Sequence, residues 1–182
     1  MSTVFFDVDT QLDFICPAGA LPVPGAEHIV KQLAELTRFA AANHIQVVST
    51  MDAHPENDQE FKTWKPHCVA GTAGQQKVAC TLLNRADPPQ IIIEKQHIDC
   101  FTNPDLRPLL DRLNADRYVV YGVVAEICVQ SAAFDLLKTG ARVELVTDAI
   151  KSLDPVNEKN FLERFRARGG LTLECNQVLA GR

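Results

Sequence analysis

The chain has 182 residues, with 18 Lys and Arg against 23 Asp and Glu for a formal charge of −5. Hydrophobic residues make up 46% and charged residues 23%, which are globular proportions and exclude a disordered chain, collagen and a coiled coil. The length predicts one domain over residues 1–182. A mildly acidic surface without a Lys/Arg block offers no footprint for nucleic acid or an anionic membrane, which leaves a small neutral molecule as the expected partner.

The first strand is expected at Thr3 to Val8, followed by a loop over residues 10–25 rich in Pro and Gly, and a helix from Ala26 to Asn43 with Ile29, Leu33, Leu36 and Phe39 at helical spacing. A second strand, Gln46 to Thr50, leads into a longer loop over residues 51–74. Strands at Gln90 to Glu94, Arg117 to Gly122, Arg142 to Val146 and Leu171 to Cys175 then alternate with helices at Asp105 to Leu113, Glu126 to Thr139 and Pro155 to Arg168. This alternation predicts an α/β fold of three layers, with a mainly parallel six-stranded sheet of Rossmann-like type between helices. Both long loops follow carboxyl ends of strands, where open α/β sheets place their ligand sites.

Nothing at the amino terminus resembles a signal or transit peptide, and no segment approaches the roughly 18 apolar residues that span a bilayer. A cytoplasmic protein is therefore expected. Six cysteines, Cys16, Cys68, Cys80, Cys100, Cys128 and Cys175, contain no CxxC spacing and are expected as free thiols.

Four groups of residues have the chemistry of a site. Cys128 follows a strand and opens a helix, whose amino-terminal N–H groups stabilise a thiolate and can face an oxyanion; a buried small hydrophobe is the alternative. Asp9 ends the first strand, where a lone carboxylate must be hydrogen-bonded or functional, and is a candidate general base. By strand alternation Asp7 shares its face, while Asp13 is expected to organise the loop. Lys95 ends the third strand, placed either to charge-stabilise a thiolate or to sit as a solvated edge lysine, with Glu94 paired to it or pointing away. Asp52, His54, Glu60 and His67 lie in one loop as a mixed N/O set suited to Zn, Fe or Mn, the alternative being solvated loop side chains. His28, His44 and His97 have no such partners and are expected on the surface.

The Asp-x-Gln-x-Asp-Phe run from Asp9 to Phe14, the lysine at Lys95 and the Gly-Val-Val-Ala-x-x-Cys-Val run through Cys128 and Val129 together resemble the isochorismatase-like cysteine hydrolases over essentially the whole chain. Asp52-x-His54 and Trp64-x-Pro-His67-Cys68-Val-x-Gly-Thr are similar to the nicotinamidase/pyrazinamidase branch. The resemblance implies the isochorismatase-like hydrolase fold and a catalytic set of Asp9, Lys95 and Cys128. It also implies a cis peptide at Val124–Ala125, with the N–H groups of Ala125 and Cys128 as oxyanion hole. Phe14 and Trp64 would sandwich a pyridine ring, with Val124 also in the pocket. One divalent metal, zinc with iron or manganese as alternatives, would be held by Asp52, His54, Glu60 and His67.

The implied activity is hydrolysis of nicotinamide to nicotinate and ammonia through a thioester, a step in NAD salvage. Carbamoyl or ureido amides are the alternative substrates, and a non-catalytic binding module is the alternative class. A small amide ligand and a homo-oligomer are expected. The sequence departs from the resemblance at Glu60, where a histidine is frequent, at Ile127, where a polar or aromatic residue is frequent, and at Thr10, which stands for an aliphatic residue.

Overall fold

The computed structural model describes residues 2–84 and 86–181. Its strands are β1 (Thr3–Val8), β2 (Gln46–Asp52), β3 (Ile91–Lys95), β4 (Arg117–Val123), β5 (Arg142–Lys151) and β6 (Leu171–Leu173). They form one sheet in the order β3-β2-β1-β4-β5-β6, and every neighbouring pair is parallel. The expected mainly parallel sheet is therefore wholly parallel. The helices are α1 (Leu12–Ile15), α2 (Val30–Ala42), α3 (Leu106–Leu113), α4 (Gln130–Leu137), α5 (Pro155–Ala167) and α6 (Cys175–Leu179).

Alternation along β1 explains why two cores exist. Val4, Phe6 and Val8 pack with Leu106, Leu109 and Leu110 of α3, Ala132 and Leu136 of α4, and Phe161 and Phe165 of α5. On the other face Phe5 packs with Leu33, Leu36 and Ala40 of α2 and with Val178 of α6. A sheet buried on both faces needs apolar residues in both phases of its strands, which is why β1 and β4 read as nearly continuous apolar runs rather than alternating ones.

Local chemistry sets the ends. The Asp154 side chain accepts from the Val156 N–H at 2.8 Å with Pro155 in the first turn of α5. Glu174 and Gln177 form a reciprocal capping box that opens α6. That cap overturns the expected strand through Cys175: β6 stops at Leu173 and Cys175 begins a helix. The helix expected from Ala26 starts as a 3-10 turn, Ala26–Ile29. The one expected from Glu126 starts as a π turn over Ala125–Val129.

The order in which strands are added reverses between β1 and β4, the switch point at which open α/β sheets bind ligands. There Gly122 has φ 122, and a Cβ on it would overlap the Val8 carbonyl, so only glycine permits this approach of β4 to β1. All six cysteines are unpaired. Among the described residues no helix is long and apolar enough to cross a membrane.

Candidate active site

Four strand ends deliver the site. Asp9 follows β1, Asp52 ends β2, Lys95 ends β3, and Cys128 lies in the π turn after β4. Lys95 Nζ is 2.9 Å from Asp9 Oδ2 and 3.7 Å from Cys128 Sγ, and it also pairs with Asp52 Oδ1, its neighbour in the β2–β3 register. The Thr50 hydroxyl donates to Asp9 Oδ1 at 2.6 Å. All of these side chains are buried.

Asp7 does not share this face, contrary to the expectation from alternation. Asp9 has φ 49, a left-handed conformation, and the turn it makes sends its carboxylate to the side of Lys95 and Cys128. Asp7 faces the other way, pairing with Lys77 at 3.0 Å and accepting from the hydroxyls of Ser49 at 3.1 Å and Thr10 at 2.9 Å. Thr10, the departure noted in the motif, therefore serves the Asp7 pair.

Burial raises the proton affinity of Asp9; Asp52 adds to the effect, and the Lys95 charge and the Thr50 bond oppose it. Burial would push Lys95 down, but Asp9, Cys128 and Asp52 together outweigh it and hold the ammonium well above its usual range. Burial also raises Cys128 well above an ordinary thiol, Lys95 opposing and the two carboxylates reinforcing. Burial and the two nearby carboxylates favour the Cys128 thiol over the thiolate that a helix amino terminus would stabilise, beside a base of raised proton affinity.

The π turn presents this thiol. Val124 O accepts from both Ile127 N and Val129 N at 3.1 Å, and no acceptor among the described residues takes the Ala125 N–H. The cis peptide is Val123–Val124, one bond before the expected Val124–Ala125.

A second cluster adjoins the first. Asp52 Oδ2 is 3.8 Å from His54 Nε2 and 4.0 Å from His67 Nε2, and one ligand atom from each of the three residues lies within 4.8 Å of the others. The outer nitrogens are occupied: His54 Nδ1 bonds Asp58 Oδ2 at 3.0 Å and His67 Nδ1 bonds the Lys65 carbonyl at 2.7 Å. Each acceptor takes a proton from Nδ1 and so fixes its ring with Nε2 turned inward, the orientation a metal ligand requires. His54 Nε2 is buried with no hydrogen-bond partner among the described residues. These donors fit a divalent metal such as zinc. Glu60 stands outside the three-residue cluster but places Oε1 3.9 Å from His67 Nε2, at the open side. Burial disfavours the charged forms of Asp52 and His54, but Lys95 and His54 hold Asp52 low and Asp52 and Asp58 hold His54 high, while the Glu60 N–H holds Asp58 low.

Between the clusters lies a cavity of ≈ 60 Å³. Cys128 lies on its wall, as do Asp52, Glu60 and His67; Phe14, Trp64 and Val124, all expected in a substrate pocket, supply apolar surface. The Phe14 ring sits 5.3 Å from that of His67. No Lys or Arg lines the cavity among the described residues.

The isochorismatase domain family matches residues 3–177. The chain belongs to the isochorismatase family. The crystal structure of pyrazinamidase of Pyrococcus horikoshii in complex with zinc is 33% identical, with a TM-score of 0.87, the match covering 96% of this chain and 99% of that one. The nicotinamidase/pyrazinamidase of Mycobacterium tuberculosis is 25% identical over 184 residues, 93% of this chain and 96% of the relative. The N-carbamoylsarcosine amidase of Thermoplasma acidophilum is 25% identical with a TM-score of 0.83, covering 96% of this chain and 97% of that one. Together with the parallel sheet, these likenesses give the isochorismatase-like hydrolase fold.

This isochorismatase-family site also depends on Gln11 of the first motif and on residues outside the motifs. Gln11 Nε2 donates to the carbonyl of Asp52 at 2.8 Å while its Oε1 accepts the Asp52 N–H at 2.7 Å, clamping that residue's backbone. Asp58 and Thr50 hold His54 and Asp9, and spacing alone carried no signal for either. Asp13 organises its loop as expected: its carboxylate accepts the Ala20 N–H at 2.8 Å and the Cys68 N–H at 2.7 Å, joining the first loop to the histidine loop. Glu94 is exposed and bonded to Gln75, away from Lys95. His28, His44 and His97 are exposed.

Proposed function

We propose that this isochorismatase-family amidohydrolase converts nicotinamide to nicotinate and ammonia, with Cys128 as nucleophile, Asp9 as base and Lys95 as their shared counter-charge. One observation carries the reading: a small apolar cavity has a thiol on its wall and a metal-capable carboxylate and imidazole set across from it. That arrangement suits a flat ring bearing a carboxamide and a heteroatom. A ureido substrate carrying a carboxylate finds no Lys or Arg on these walls among the described residues.

In the proposed reaction Asp9 takes the Cys128 proton as Sγ attacks the amide carbon, opening the C=O to an oxyanion that the N–H groups of Ala125 and Cys128 hold. Asp9 passes the proton to the amide nitrogen, the C–N bond breaks, and ammonia leaves a thioester. Asp9 then deprotonates a water that attacks the thioester carbon, and the proton returns to Cys128 as the carboxylate is released. Lys95 keeps its charge throughout, offsetting the negative charge that passes between Asp9 and Sγ. Phe14 and Trp64 hold the ring. A divalent metal would be held by Asp52, His54, Glu60 and His67 and would supply Lewis-acid chemistry at that wall of the cavity.

Ammonia release from nicotinamide, pyrazinamide and N-carbamoylsarcosine, with metal content measured on the same sample, tests the proposal. The two aromatic amides should turn over and the carbamoyl compound should not. Cys128→Ala should lose all measurable turnover and still bind nicotinamide by calorimetry. Preference for the carbamoyl compound, or ammonia release by Cys128→Ala at a comparable rate, would refute it.

A further inference from the structure

Outside the cavity, separated from it by a shared wall, lies an open groove of ≈ 740 Å³. Trp64, Ile127 and Leu153 line both spaces. The groove is about half polar, walled by Gln130, Asp154, Asn157 and Asn160 among others, whereas the cavity is largely apolar. Leu153 is 41% exposed although it faces the ligand space, so packing against the core does not hold it there.

Its position is held by Glu126. One carboxylate oxygen, Oε1, accepts the N–H of Leu153 at 2.9 Å and the N–H of Asp154 at 3.0 Å. Glu126 stands between Ala125 and Cys128 in the nucleophile's own turn, so these two bonds tie the wall residue to the turn that carries the thiol. The Asp154 side chain and Pro155 then fix the chain direction as α5 begins.

We propose that Leu153 is the size gate of the catalytic cavity and Glu126 its latch. Leu153 closes the neck toward the groove and restricts the cavity to a single small ring; without it, cavity and groove join and a larger fused ring is admitted. The amide half of the test rests on the reading of this cavity as the amide site. The thiol half does not.

Two measurements test the gate in the full-length, metal-loaded protein. The first is the ratio of kcat/KM on quinoline-3-carboxamide to that on nicotinamide. Leu153→Ala and Glu126→Ala should each raise it about tenfold or more, the scale on which small apolar groups discriminate in a pocket. Glu126→Gln, whose amide oxygen can accept the same two N–H groups, should keep the wild-type ratio. The second is the rate of Cys128 modification by N-phenylmaleimide relative to N-ethylmaleimide, followed by mass spectrometry, which should rise in the same two variants. If Glu126→Ala does not fold, Glu126→Asp, too short to reach both N–H groups, replaces it. Unchanged ratios in Leu153→Ala overturn the gate. A raised ratio there with none in the Glu126 variants overturns the latch. If nicotinamide is not hydrolysed at all, the functional reading fails and the maleimide ratios still decide the gate.

Discussion

Lys95 and Asp52 are partners across the β2–β3 register, and their ion pair joins the two halves of the site: the same ammonium lies 2.9 Å from Asp9 Oδ2. Replacing it by Met removes the counter-charge of two buried carboxylates at once. Breaking a buried pair from one side costs about 3–5 kcal/mol. Lys95→Met should therefore lose that much in urea unfolding along with its turnover, and an unchanged unfolding midpoint would contradict the burial argument.

The Asp58 carboxylate touches His54 through Nδ1 and not through the inward-facing Nε2. Residues that orient a ligating histidine in this way are worth about 10–100-fold in metal affinity. Asp58→Ala should weaken zinc binding by that factor in a competition titration while thermal stability of the metal-free protein changes little. Equal affinities would show that His54 needs no orienting partner.

Gly74 lies against the Asp13 carboxylate so closely that a Cβ would overlap it. Gly74→Ala should displace the carboxylate from the Cys68 N–H and release the segment that carries His67. Overpacking of this kind costs about 1–3 kcal/mol. A lower melting temperature together with reduced metal content is expected; a fall in melting temperature alone would mean that Asp13 does not govern the histidine loop.

The raised proton affinity of Asp9 fixes the sign of one pH effect. Asp9 must be unprotonated to accept the thiol proton, and its protonated fraction grows as pH falls. Its ordinary value is 3.8 and burial moves it upward. The profile of kcat/KM, measured at constant metal occupancy, should therefore show an acid limb centred above 3.8, belonging to the coupled group as a whole. A limb centred at or below 3.8 would exclude Asp9 as the base.

Sequence period placed the sheet well because buried parallel strands are short apolar runs bounded by Gly, Pro and Asp, and each expected strand lies within a few residues of an observed one. Strand ends placed Asp9, Asp52, Lys95 and Cys128, since parallel strands deliver their carboxyl ends to one edge. Period does not carry backbone hand. Alternation assigned Asp7 and Asp9 to one face, and a single residue at φ 49 separated them. Nor does period reach across the chain: Leu153 and Ile98 meet Cys128 in the cavity from distant segments, with no local pattern to announce them. The two carboxylates that oppose a Cys128 thiolate come from other strands, so no local pattern around the cysteine announces them.

The left-handed residue at the end of β1 also divides the protein's buried charge into two compartments. Had the strand continued its alternation, both aspartates would have emerged beside Lys77, and Lys95 would have faced the thiol with only Asp52 for company. Instead the sheet itself acts as a partition, with one cation and its carboxylate on the far side and the reacting set on the near side. Asp9 with Lys95 and Asp7 with Lys77 are thereby two separate, fully buried ion pairs whose carboxylates lie only two residues apart in the chain.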